Sequence, residues 1–110
     1  NSGLLDCQKL VKQVEAELGR AAQVTESKKK VSARMARKVQ DAMQGDKKKK
    51  ARLMHFMNMW QDAKEAYLLA AYDEAQAEIY LLKAQLAVSE AQRDILEVQW
   101  EHACQTKPVS

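Results

Sequence analysis

The sequence predicts an all-α fold: a long antiparallel helical hairpin, or coiled coil, that dimerises into a helical bundle. Three observations carry this expectation. Helix breakers are nearly absent, with one Pro, at Pro108, and three Gly in 110 residues. Alanine occurs 17 times, and β-branched or aromatic residues never alternate with polar ones over a useful run. Above all, apolar residues recur at spacings of 3 and 4 along most of the chain.

The C-terminal half holds the clearest seam. Leu53, Phe56, Trp60, Ala63, Tyr67, Ala70, Glu74, Ala77, Leu81, Ala84, Val88, Ala91, Ile95 and Val98 follow one another without a slip, with Glu74 as the one polar member. A sustained period of 3.5 predicts left-handed supercoiling. Alanine fills every seventh position from Ala63 to Ala91. Small residues there let two backbones approach closely, which favours an antiparallel pair. The residues expected to form a partner or oligomer seam are Trp60, Ala63, Tyr67, Ala70, Ala77, Leu81, Ala84, Val88, Ala91, Ile95 and Val98. A second apolar stripe (Leu68, Tyr72, Ala75, Ile79, Leu82, Leu86) is read as offset by one residue, about 100° round the helix. Two stripes call for more than one neighbour.

The N-terminal third continues the pattern through Leu4, Cys7, Val11, Val14, Leu18 and Ala21. The seam turns polar at Thr25, Lys28 and Ser32, then recovers at Met35, Val39 and Ala42. Gln44-Gly45-Asp46 reads as the break, with Gly in the left-handed position past a helix end and Asp capping the next helix. The expected layout is one module over 1–110: a helix over about 3–43, a turn at 44–46 and a helix over about 47–105. An unbroken rod through Gly45 is the alternative. Closure at Gly45 would leave the first helix ending opposite Leu86, so an apolar overhang from Val88 to Trp100 would need a cover. The chain begins at Asn1 rather than Met, which reads as a segment of a longer protein.

Enzymatic readings find no purchase. Neither His55 nor His102 lies three residues after a Glu, so the di-iron bundle pattern is missing. The glycines are isolated, so no phosphate-cradling loop is present, and no nucleophile sits beside a base. No catalytic residue, metal ligand or cofactor is expected. Cys7 and Cys104 read as two reduced thiols, and no signal peptide or membrane-spanning run is seen. The expected compartment is cytoplasmic, with nuclear import an option for the Lys47–Arg52 patch.

Charge is the remaining signal. From Glu26 to Leu53, eleven basic residues stand against three acids: Lys28, Lys29, Lys30, Arg34, Arg37, Lys38, Lys47, Lys48, Lys49, Lys50 and Arg52. A hairpin is expected to gather them near its tip, as a site for an anionic partner. Four lysines opening a helix oppose its dipole and repel one another, a cost that solubility alone does not demand. A phosphoinositide membrane or a microtubule-like polymer fits such a patch. Sequence-specific DNA does not, since groove-reading residue types are lacking. Two functions are therefore expected of the chain. The main one is a non-enzymatic coiled-coil module that self-associates, as a homodimer, and scaffolds other helical proteins. The alternative is a basic-tipped helical dimer on an anionic surface.

Overall fold

The computed structural model describes residues 2–106, and Pro108 lies outside them. Two long helices, α1 (Ser2–Gln44) and α3 (Leu53–Gln105), flank a five-residue helix, α2 (Lys47–Ala51). The long pair forms an antiparallel hairpin measuring 96 × 22 × 13 Å. Its radius of gyration is 25.8 Å, about twice the ~13 Å of a compact domain of this length. The continuous rod is thereby excluded.

The core is the seam read from the sequence. On α3 every seam position from Leu53 to Ile95 is buried or half-buried, and on α1 every one from Leu4 to Ala42 is, except Lys28. The buried apolar residues among those described are Val14, Met35, Val39, Ala42, Ala70 and Ala84. Five of these six are alanine or valine, as expected where two backbones are drawn together rather than held apart by leucines. The close approach is visible in one bond. The Thr25 hydroxyl lies 3.0 Å from the Ala21 carbonyl of its own helix and 3.1 Å from the Ala70 carbonyl across the seam. A side chain this short reaches a neighbouring helix backbone only where the facing residue is small. The polar stretch at Thr25 thus supplies an interhelical tie and does not weaken the seam.

The register differs from the expected one. Val11 shares a groove with Val88, and Leu4 shares one with Ile95 and Val98. The first helix therefore reaches about ten residues further along its partner than Leu86. The cause is the turn. Helix α2 adds an extra helical turn between the long helices, which moves the axis of the hairpin away from Gly45. The overhang is correspondingly short, and Val88, Ala91 and Ile95 are half-buried against α1. Val98, expected in the seam, is 65% exposed because α1 ends beside it.

Two further expectations are corrected at the turn. No glycine among the described residues has a positive φ, so Gly45 is not there for left-handed freedom. It is there for room: a Cβ would stand 2.7 Å from Lys49 Cβ and 3.1 Å from the Asp41 carbonyl oxygen. The expected single helix over 47–105 is also interrupted at Arg52 (φ −94°, ψ 0°), whose N–H bonds to the Lys49 carbonyl at 3.1 Å, a tight i→i−3 turn. Asp46 does cap, accepting from the Lys49 N–H at 3.0 Å.

The second stripe is exposed throughout. Leu68, Ala75 and Leu82 follow the large seam residues by one position, but Tyr72, Ile79 and Leu86 follow the alanines by two. The stripe is thus centred about 150° from the seam, on the face turned away from α1, and not about 100°.

Two outcomes test this packing. Ala84→Leu inserts three carbons into a closed seam and should cost about 1–3 kcal/mol in chemical denaturation; a stabilised variant would mean the helices are not in close contact. Thr25→Val, which keeps volume and removes the hydroxyl, should cost about 1 kcal/mol by the same measurement.

Candidate interaction surfaces

Three surfaces of the hairpin carry side chains that the internal seam does not use. The first is the tip. Asp46 opens α2, and the four lysines that follow make up all of the helix but Ala51, so they occupy its last turn as well as its first. Their conflict with a helix dipole is therefore milder than expected for the start of a long helix, and the Asp46 carboxylate offsets it further. Lys38, Lys48, Lys49 and Arg52 line an open groove of about 460 Å³ together with Asp41, Asp46, Ala42 and Phe56. Two carboxylates within the basic rim make this groove mixed in sign.

The second is a basic ridge on α1. Lys30, Arg34 and Arg37 follow at spacings of 4 and 3, directly opposite the α1 seam, so they share the outward face. All eleven basic residues singled out from the sequence are exposed. Among the described residues, ion pairing is confined to Arg93 and Asp94, 3.2 Å apart. None of the eleven is engaged by a carboxylate within the hairpin. They are not, however, one patch at the tip. Lys28–Lys30 stand about 25 Å back along α1 from Gln44, so the hairpin spreads the charge along one end of the rod. Lys28 itself takes a seam position and stays exposed.

The third is the outer face of α3. Leu68, Tyr72, Leu82 and Leu86 are each more than half exposed, and Leu69, Tyr80, Leu96 and Trp100 add to the apolar surface. Of the residues expected to form a partner or oligomer seam, Trp60 through Ile95 are turned to α1, and Val98 is exposed. Among the described residues, the polar contacts made by α3 side chains are local, such as Gln76 donating to the Tyr72 hydroxyl at 2.9 Å and the Lys64 ammonium 4.9 Å from the Trp60 ring centroid. Glu74, half-buried in the seam, has no basic group within 4 Å among the described residues.

His55 and His102 lie about 70 Å apart on one helix. Cys7 is half-buried and Cys104 exposed, both as free thiols. Among the described residues, no helix is long and apolar enough to cross a membrane. Compared with known proteins, the chain matches no family model, no curated protein and no solved structure, and the reading of its surfaces rests on their geometry.

Asp46→Ala removes the one side-chain cap at the tip and leaves Asp41 as the carboxylate of the groove. Stability should fall by about 1 kcal/mol, and the loss should shrink in high salt because part of it is like-charge repulsion. Thermal melts at two ionic strengths read both parts.

Proposed function

We propose that this chain is a non-enzymatic helical-hairpin module that self-associates and serves as a scaffold for other helical proteins. The observation that carries the reading is surface the fold leaves uncovered. The accessible area is 8797 Å², against about 6,200 Å² for a folded monomer of this mass. The excess of about 2,600 Å² exceeds the ~800 Å² that each partner gives to a standard interface. Much of it is apolar and lies in one line along α3. A continuous apolar stripe on a rigid rod is what a neighbouring helix packs against. The test is mass by light scattering at micromolar concentration, with a scattering-derived length. A mass of twice 12.5 kDa supports the reading; a monomer across that range overturns it.

The unpaired basic side chains favour a second reading, in which the basic end of the rod also engages an anionic surface, such as a phosphoinositide membrane or a cytoskeletal polymer in the cytoplasm. Charge on an outward ridge and a tip, in no ion pair with a carboxylate of the hairpin, remains available to a partner. Changing Lys47, Lys48, Lys49 and Lys50 to Gln should leave the hairpin folded, since none is in the seam. It should also weaken cosedimentation with anionic vesicles or microtubules, in an interaction that fades as salt rises. Because Lys28–Lys30 are about 25 Å from the tip, adding their substitution should weaken binding by a separate, independent increment. Unchanged cosedimentation would leave the lysines as a solvated face.

A further inference from the structure

We propose that the outer stripe of α3 is the docking surface for a second copy of this chain, placed antiparallel about a two-fold axis at the level of Ala77. This rests on the self-association reading and specifies its face, direction and register. The six stripe residues are spaced 4, 3, 4, 3, 4, a pattern that reads the same in both directions. An isologous contact needs this property, because residue i must meet j while j meets i. With the axis at 77, Leu68 of one chain faces Leu86 of the other, Tyr72 faces Leu82, and Ala75 faces Ile79. Small or slender residues thus meet larger ones near the centre. The same axis extends the pairing outward to Met54 and Trp100, which are 68% and 67% exposed. A thioether against an indole is a favourable pair.

Charge at the tip selects the direction. Asp46–Arg52 carries five Lys or Arg and one acid, a net of +4, whereas Glu90–Gln105 at the far end of α3 carries one Arg and four acids, a net of −3. A parallel pair would set one basic tip beside the other. An antiparallel pair about Ala77, close to the midpoint of α3, overlaps the rods almost fully and sets each basic tip beside the acidic end of the partner's α3. Arg52 then faces position 102 of the other chain, one residue from its Glu101, while the basic ridge of α1 points away from the contact. Because the stripe faces away from α1, the two α3 helices lie in the middle and the two α1 helices outside, in a single flat layer.

The experiment combines mass with distance, in full-length chain. Ile79→Glu and Leu82→Glu, at exposed positions outside the seam, should lower the light-scattering mass from twice to once that of the chain, with helicity unchanged by circular dichroism. Spin labels on Gln61→Cys and Arg93→Cys, each in a chain with Cys7 and Cys104 replaced by Ser, report direction without altering the stripe. The two sites are about 48 Å apart on one helix. A mixture of the two singly labelled chains should give a short distance, within about 20 Å for neighbouring helices, whereas Gln61→Cys alone should give a long one. A dimer that survives both glutamates leaves self-association standing and overturns the proposed face. A short distance from Gln61→Cys alone shows a parallel pair and overturns the direction. A chain that is monomeric without any substitution overturns this proposal together with the self-association reading.

Discussion

The close approach of α1 and α3 is the constraint on which the rest of the molecule depends. Alanine at every seventh seam position brings the backbones near enough for a threonine hydroxyl to reach a carbonyl on the other helix. That proximity has a consequence for the core. The interior is thin: burial is spread over many short side chains, and among the described residues no large one is fully enclosed. Each turn adds a small increment of apolar contact, so the hairpin draws its stability from length. The need for about forty residues of continuous pairing explains why glycine and proline are almost excluded from the helices.

A thin core also means that the larger hydrophobes cannot all be accommodated between the two helices. Leu68, Tyr72, Ile79, Leu82 and Leu86 stand on the outer face of α3, where no described element covers them. In a compact domain such residues would lie in the centre. Here alanines take every second seam position of α3 from Ala63 to Ala91, and a second set of large side chains is left outside. The rod shape and the apolar exterior are thus one decision seen twice.

The helices and their inner faces were legible in the sequence, residue by residue, because burial in a two-helix pair obeys a period that the residue types record directly. The alternation from Leu53 to Ile95 and from Leu4 to Ala42 needed no tertiary information. What was not legible depended on one local event. Whether Lys47–Ala51 continue the second helix or form their own turn decides the register of everything beyond it, and a run of lysines carries no periodic signal to decide it. The position of the Val98 end and the true extent of the overhang both followed from that turn. The role of Gly45 was misread for a related reason, since a glycine required for space and one required for φ look alike in a sequence. Periodicity finds an apolar face without saying which neighbour takes it, so the run from Trp60 to Ile95 reads in the sequence as a partner or oligomer seam and is turned to α1 in the structure. The basic residues are exposed, but they do not gather at the tip, because the distance of Lys28–Lys30 along α1 is set by helix length.

Topologically the hairpin is a zipper with one closed end. Ala42, beside the turn, is its most enclosed residue, with Met35 and Val39 buried behind it, while the far end has both chain termini and a half-covered seam. Opening at the termini separates few contacts and leaves the remainder intact, whereas opening at the turn must part the best-packed section first. Free energy of local opening is therefore graded along the rod, low at the acidic end and high at the basic one. Amide exchange would record that gradient as protection rising steadily towards the turn. The charged end of the molecule is in this sense its anchored end: the lysines are carried on the part of the rod that thermal fraying reaches last.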